Sequence, residues 1–504
     1  MNLNFLYLRF LPLAIVFALL CDQPVYSANL SAGVAKVDIT DRGAGPVNDP
    51  LYVKALVLRS ETTTITIVTV DAVAIGEIGR IKNNYLATVR TRLQQELGIL
   101  PTNILINASH CHGVVAEDVD ERTIQAVKLA AQNLVPVRIG VGVGHEDRIM
   151  ENRRLRLKSG READVRHAYS LPPDDSVAEV GPVDPEIGIL KLDRLDGRRL
   201  AVVYNFAVHP IQGVPNGGNT ADIIGFASKV IEENSSDGTL ALFLQGCGGD
   251  INPILYKDVD HPRNAEPLGN MLGLSTLQAV RKIECGDTDR LAVISELISL
   301  PRGDRTERIF SMEAEQKRLM QSLKGTSLNL KTFIPLAVKY NISEQFPSYY
   351  SHAYFHEEQL GRDDLRKHDA ENRRNIKQYI ENIQIMEELT RVQTNLDLLR
   401  KHQRSLMDSG KRTVEVEIAV VRVGEFVLAT FPGELTVRIG LNLKQLAIHQ
   451  HTFVAGYTNG YIYYAPTAEQ LLNPGNAQED CDCILAPEWQ GIFERKIAAL
   501  LARL

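Results

Sequence analysis

The sequence carries no excess of positive charge. Its 55 Lys and Arg stand against 62 Asp and Glu, with both signs interspersed, for a formal charge of −7. Such a balance gives no chain-wide basic field of the kind that gathers nucleic acid or anionic lipid, so no nucleic-acid partner is expected. Beyond the first twenty residues there is no long hydrophobic run, and no later membrane span is expected. No CxxC pair offers a zinc–thiolate site, and no internal repeat is evident. What remains, 44% hydrophobic and 23% charged residues over 504 positions, is globular material sufficient for a large core and for more than one domain.

The one apolar run, Phe10 to Leu20, follows Arg9 and precedes small residues at Ser27 and Ala28. It falls short of the ~20 residues a span requires and reads as a secretory signal peptide over residues 1–27, with 28–504 as the mature chain in a secreted or periplasmic setting. Lipid anchoring at Cys21 is the weaker reading, because Leu20 is bulky where a small residue is favoured. Removal of the signal leaves Cys111, Cys247, Cys285, Cys481 and Cys483. An odd count excludes complete internal pairing, and buried or lightly paired thiols are expected.

Strand-like and helix-like runs then alternate. YVKALVLR (52–59), TITIVTV (64–70), NILINASH (103–110), RLAVVYNFAVH (199–209) and TLALFLQG (239–246) are strand candidates, and residues 80–97 form an amphipathic helical stretch. The pair 414–423 and 425–431, joined at Gly424, predicts a hairpin. The fold class is therefore α/β, with mixed β-sheets layered with helices. From about 304 to 411 the composition turns to Glu, Lys, Arg, Gln and Leu with little Gly, which predicts a helical insertion built on an antiparallel pair of long helices. Its Phe346, Tyr349, Tyr350, Tyr354 and Phe355 either pack between helices, the commoner use, or meet an apolar ligand.

Four motifs follow strand candidates. In Ser109-His110-Cys111-His112, an extended chain would turn both imidazoles to one side and Cys111 away, which argues against a cysteine nucleophile. His209 ends a near-continuous apolar strand, at the kind of sheet edge where α/β proteins place their sites. The glycines of Gly217-Gly218-Asn219-Thr220-Ala221-Asp222 and Gln245-Gly246-Cys247-Gly248-Gly249-Asp250 would let backbone approach a ligand, but the Lys and Ser/Thr of a phosphate loop are absent. Glu434 follows Pro432-Gly433 and reads either as a site carboxylate or as the acid at a helix N-terminus. Tyr457-Thr458-Asn459-Gly460-Tyr461 completes the set.

Taken together and in this order, the motifs resemble the neutral, non-lysosomal ceramidase family, which hydrolyses N-acylsphingosine to a fatty acid and sphingosine. The opening stretch Ala32 to Thr40, Val183-Asp184-Pro185-Glu186 and GGNTADIIGFAS (217–228) fit the same pattern, and the resemblance covers roughly residues 31–300 and 414–470. It implies a zinc-dependent amidohydrolase with one Zn2+ per chain held by His110, His209, Glu434 and Tyr461, a donor set suited to zinc with a position open for water. It further implies that His112 handles proton transfer or steadies the oxyanion. Arg153 either serves the oxyanion side or forms a surface ion pair. The expected substrate is a small, lipid-like N-acyl molecule, ceramide first, with peripheral membrane contact and no obligate protein partner. An acylated sugar or peptide, or ligand binding without turnover, are the alternatives. The chain departs from the family in three places. Gly113-Val114-Val115-Ala116 replaces a serine-proline-glycine run, Gly246 stands where a serine was once proposed as nucleophile, and no immunoglobulin-like domain follows the Tyr461 motif.

Overall fold

The computed structural model describes residues 30–165, 171–254, 256 and 258–504. The expected signal peptide and Cys21 lie outside them. Strands at 52–59 and 64–70 form where the sequence predicts them, as Tyr52–Arg59 and Thr64–Val70. Both are buried on both faces, which is why they read as continuous apolar runs rather than as alternations. Val53, Ala55 and Val57 face one way and join a core with Val89, Leu93, Ile124 and Val127 of the helices Tyr85–Leu97 and Val119–Gln132. Leu56 and Leu58 face the other way and meet Val421, Phe426 and Leu428 of a second sheet.

The two sheets are the body of the molecule. The larger has eight strands in the spatial order Leu240–Gln245, Arg199–Phe206, Glu186–Arg194, Val135–His145, Ser31–Asp38, Tyr52–Arg59, Thr64–Val70 and Ile104–Ala108. The smaller has four, Leu291–Pro301, Thr413–Val423, Phe426–Thr430 and Thr452–Ala455. The predicted hairpin is the middle pair of the smaller sheet. Val423 pairs with Phe426 across a two-residue loop, and Gly424 supplies its left-handed φ of 60°. Helices Asp222–Glu233 and Ala265–Val280 extend the outer layer on the larger sheet, while Trp489–Leu501 covers the smaller. The layers run helix, sheet, sheet, helix, as the α/β reading with mixed sheets requires.

Within the two main sheets three described strand pairs are parallel: 64–70 with 104–108, 199–206 with 240–245, and 426–430 with 452–455. Their carboxyl ends are stitched together by buried asparagines. Asn107 donates to Gly456 O at 2.8 Å and to Thr458 Oγ1 at 3.0 Å, and accepts from Gln245 N at 2.9 Å. Asn205 donates to Leu244 O at 2.9 Å and to Val454 O at 3.1 Å. Each bridges from the larger sheet to the smaller, so the loops leaving both sheets start from fixed points.

Between Pro301 and Thr413, which are paired neighbours in the smaller sheet, the chain makes a helical excursion. It contains Thr306–Ser322, Leu330–Ile342, Ser351–Gln359 and the 46-residue helix Asp364–Ser409. Glu313 meets Arg400, Gln316 meets Gln393, and Lys324 meets Asn382. Partner numbers that fall as the others rise make the first and last helices antiparallel; the two short helices sit toward the far end. The arm is fastened to the body by Arg391, whose Nη1 donates to Asp164 Oδ1 at 2.7 Å in a buried pair, and by Asn395, which donates to Asn476 O. Of the five aromatic residues singled out in the sequence, Tyr354 is buried with its hydroxyl on Asp369, and Phe346 packs on Tyr354 and Phe355.

Replacing Asn107 with Ala removes three buried hydrogen bonds at once. It should lower unfolding stability by about 2–4 kcal/mol, read as a shift of the urea midpoint. A loss below about 0.5 kcal/mol would show that the sheets are not joined through this side chain.

Candidate metal centre

The strand Ile104–Ala108 ends two residues before His110, and His110 itself adopts φ 66°. The extended His-x-His geometry expected from the sequence is therefore not what orients the rings. A sharp turn does so, held by Ser109 N on Val70 O and His110 N on Ala72 O, both at 2.9 Å. The turn still leaves Cys111 buried in the core and both imidazoles on one cavity, with ring centroids 5.4 Å apart. Left-handed backbone at a residue other than glycine carries a strain of about 1–2 kcal/mol. Among the described residues seven do this; His110, Asp222 and Tyr463 line this cavity, and Tyr457 bonds Glu434 at its wall.

His209 is reached three residues past Phe206. Its N–H donates to Ile251 O, and its Nδ1 lies 2.5 Å from Gly248 O and 3.2 Å from Ile251 O. The glycines of this second loop, expected to let backbone approach a ligand, are not among the residues lining the cavity. They approach other backbone: a Cβ at Gly246 would meet Phe206 at 2.9 Å, and one at Gly249 would meet Glu434 O at 2.6 Å. Their smallness lets the loop present the carbonyl that orients His209. Glu434 is not a helix N-terminal acid, because the next helix, Val437–Leu446, is capped at Thr436. Glu434 N donates to Tyr463 O, and its carboxylate turns inward, 1% exposed.

These three residues converge. His209 Nε2 lies 3.2 Å and His110 Nε2 3.6 Å from Glu434 Oε2, and the three donor atoms sit within 4.8 Å of one another. His110 Nδ1 is 2.6 Å from Val73 O. A carbonyl only accepts, so in either ring Nδ1 carries a hydrogen, and when the ring is neutral Nε2 turns a lone pair toward the carboxylate. His209 Nε2 is accordingly buried with no hydrogen-bond partner. Two imidazole nitrogens and a carboxylate oxygen, all electron-pair donors aimed at one point, form a group that could bind a divalent metal ion.

Tyr461, the fourth expected ligand, donates its hydroxyl to Glu434 Oε1 at 2.5 Å. Tyr457, for which no motif predicts a role of its own, donates to Glu434 Oε2 at 3.1 Å. Burial alone would raise the Glu434 carboxyl; the imidazoles of His110 and His209 and the Tyr461 hydroxyl outweigh it and hold the group well below the usual carboxylate range. His209 is lowered to about 3, by burial first and then by the Arg153 cation. Its ring is therefore neutral at ordinary pH.

Arg153 is no surface residue. It is 1% exposed and lines the cavity wall, with Nε donating to Glu479 Oε1 at 2.7 Å, Nη1 to Asn252 Oδ1 at 3.2 Å, and Nη2 to Gly249 O and to Tyr464 OH. Neighbouring Arg154 pairs with Asp480 at 2.8 Å and with Glu479 at 3.3 Å. The acidic pair Glu479-Asp480, which no sequence motif marks, balances this buried cationic pair. His112 is exposed on the cavity rim. The cavity, about 400 Å³, has Val73, Ile78 and Ile211 on its apolar side and Arg263 and Lys401 at its edge. Arg263 lies over the Tyr256 ring at 5.3 Å and Lys401 over the Tyr463 ring at 4.6 Å. Lys401 comes from the long arm helix, as does His402, whose Nε2 is 2.7 Å from Asp482 Oδ1 on the same wall. Nothing in the sequence pointed to either residue.

Two outcomes are expected. A divalent metal should raise the melting temperature of the wild-type chain and a chelator should lower it, with a stabilisation of about 2.7 kcal/mol at a hundredfold excess over Kd. Glu434→Gln should lose most of that shift, and an undiminished shift in this variant would refute the donor set. The second concerns Asp71, buried where the strand Thr64–Val70 ends, just before this turn. Its carboxyl is pushed up to about 6, by burial against the pull of the Lys54 ammonium and the Tyr52 N–H. A folded-state value above the unfolded one, about 3.9, means that stability falls as pH rises from about 4 to about 6. Asp71→Asn should therefore gain up to about 3 kcal/mol on the wild type between pH 4 and pH 7, and a pH-independent difference in urea midpoints would contradict this.

No protein-family model matches the sequence. Among solved structures, the chain superposes on neutral ceramidase from Pseudomonas aeruginosa with a TM-score of 0.59 and 15% identity, over 95% of this chain and 75% of the other. A ceramidase complexed with C2 gives a TM-score of 0.59 and 16% identity, over 94% and 75%. The architecture that carries this cluster is thus the neutral ceramidase fold, as the motif resemblance implied.

Proposed function

We propose that the chain is an exported, zinc-dependent hydrolase that cleaves the amide bond of a ceramide-like N-acyl lipid to a fatty acid and a sphingoid amine. The observation that carries this reading is the buried convergence of His110 Nε2, His209 Nε2 and Glu434 Oε2, with the Nδ1 of each ring set on a backbone carbonyl. His110, His209, Glu434 and Tyr461 would hold the ion. Zinc bound there supplies Lewis acidity, which makes hydroxide available near neutral pH. The fold likeness to structures named as ceramidases supports amide hydrolysis as the reaction.

The chain's own residues have separate tasks in this reading. Val73, Ile78 and Ile211 receive apolar substrate and exclude water from the wall facing the carboxylate. His112, on the rim, is free of the burial that neutralises His209 and carries a proton toward the leaving amine. Arg153 keeps a fixed positive field behind the centre, where negative charge develops on the carbonyl oxygen. Four hydrogen bonds to the protein hold it in place, so it acts chiefly as a fixed field. Tyr461 holds Glu434 in place from the substrate side.

A second reading, favoured by Arg263 and Lys401, is hydrolysis of an acylated substrate that carries an anionic group. Both cations stack on tyrosines at the cavity edge, and no ion pair with a carboxylate accompanies either among the described residues.

Purified chain should contain one zinc and release fatty acid from a fluorescent N-acylsphingosine. His110→Ala should lose the metal and reduce kcat/KM by roughly a thousandfold or more. Activity retained in a zinc-free His110→Ala protein would defeat the metal reading. Turnover confined to acylated substrates bearing a carboxylate or phosphate, and abolished by Arg263→Ala with Lys401→Ala, would select the second reading over the first.

A further inference from the structure

The chain-wide charge of −7 conceals one stretch of the opposite kind. From Gln316 to Ser343 there is no Asp or Glu, while Lys317, Arg318, Lys324, Lys331 and Lys339 are all basic. Within it lies the second arm helix, Leu330–Ile342, which is apolar around most of its circumference. Phe333 stacks on Tyr379 and buried Tyr340 donates to Asp369, so one apolar face packs on the long arm helix. At 100° per residue, Leu330, Ile334, Val338 and Ile342 form a second apolar stripe beside the first. It is uncovered: the four residues are 59, 52, 53 and 80% exposed. A helix apolar nearly all round is ordinarily buried, and uncovered apolar surface of this extent marks a contact site.

We infer that this stripe is a docking face for an anionic lipid surface. The apolar side chains would enter the acyl boundary, and Lys331 and Lys339, which border the stripe, would reach back to lipid phosphates. Charge decides against the nearest rival. A second copy using the same face in a twofold pair would bring its lysines onto the first copy's lysines, with no carboxylate in the segment to meet them. A bilayer of anionic lipid supplies negative charge across its whole plane, worth about 1 kcal/mol per basic residue near the surface. The exposed aromatics Tyr349 and Tyr350, 83 and 51% exposed, lie a few residues on at the same end of the arm and suit the headgroup level. No described helix is long and apolar enough to cross a membrane, so the contact lies in the interface plane. Lys401 at the catalytic cavity is about 48 Å along the long helix from Asp369, at 1.5 Å rise per residue. The docking face therefore tethers the molecule to the surface and stands clear of the cavity.

Vesicle co-sedimentation of the whole chain tests this. The wild-type protein should pellet with phosphatidylcholine/phosphatidylglycerol vesicles and bind pure phosphatidylcholine about tenfold more weakly. The triple variant Ile334→Ser, Val338→Ser, Ile342→Ser should lose about tenfold or more on both. Lys331→Glu with Lys339→Glu should lose binding on the anionic vesicles alone. All five side chains point to solvent, so circular dichroism and melting should match the wild type. Wild-type protein that stays in the supernatant with both vesicles overturns the proposal, as does a triple variant that binds undiminished. A concentration-dependent dimer, abolished by the triple substitution in sedimentation velocity, would assign the face to a second copy and overturn it equally.

Discussion

A carboxylate 1% exposed, as Glu434 is, cannot remain ionised in a protein interior unless something compensates the water it has lost. Much of the local structure is arranged around that requirement. Two tyrosine hydroxyls donate to its two oxygens, and two imidazoles approach one of them through nitrogens whose hydrogens lie on the far side of each ring. The hydroxyls alone are hydrogen bonds to a charged group, worth about 1.5–3 kcal/mol each. With Nδ1 of each ring set on a carbonyl, a neutral imidazole presents a lone pair to the carboxylate, and a group of that kind could hold a cation. This is the chemical sense in which the cluster asks for a metal.

The position of that cluster depends on backbone rather than on the donors themselves. Each ring is aimed by a carbonyl, Val73 O for His110 and Gly248 O for His209. Each carbonyl is set by a turn that leaves a parallel strand. The turns are strained at His110, Asp222, Tyr457 and Tyr463, and such strain persists only where surrounding structure over-determines it. Here the surroundings are Asn107 and Asn205 between the sheets and the close-packed glycines 246 to 249. Behind them, Arg153 and Arg154 face Glu479 and Asp480 as a nearly neutral buried block. Within that block Arg153 still biases the adjacent centre: with burial it helps keep His209 uncharged, and hence able to act as a donor.

How far the sequence could be read follows from the same physics. The strands at 52–59 and 64–70 were legible because burial on both faces leaves no polar interruption. The residues of the centre were legible because each follows a strand end, and strand ends are where α/β folds put their sites. The orientation of His110 was not, since a left-handed turn is set by Ala72 O, distant in the chain, and no periodicity encodes it. The glycine loop was misread for a related reason. Permissive backbone signals close approach, but composition does not say to what, and in the structure the close neighbours are Phe206 and Glu434 backbone. Lys401 and His402 lay beyond reach altogether, because a helical pattern fixes which residues share a face and not where a 46-residue helix comes to rest.

That last point bears on why such an arm can exist. Pro301 and Thr413 are hydrogen-bonded neighbours, so the excursion leaves and re-enters at one place, and the entropy of closing a loop grows only slowly with its length. The sheet register is indifferent to what lies between. An arm free of constraint at its root would nonetheless swing, and this one is pinned along its side: Arg391 to buried Asp164, Asn395 to Asn476 O, His402 to Asp482 on the cavity wall. Removing Arg391 would leave the Asp164 carboxylate buried without this cation, a loss of about 3–5 kcal/mol. The long helix is thus joined to the body beside the His110, His209 and Glu434 cluster, and at its other end it carries the short helix with the uncovered apolar face. A rigid element with those two ends fixes the direction in which the cavity opens relative to whatever surface the far end meets.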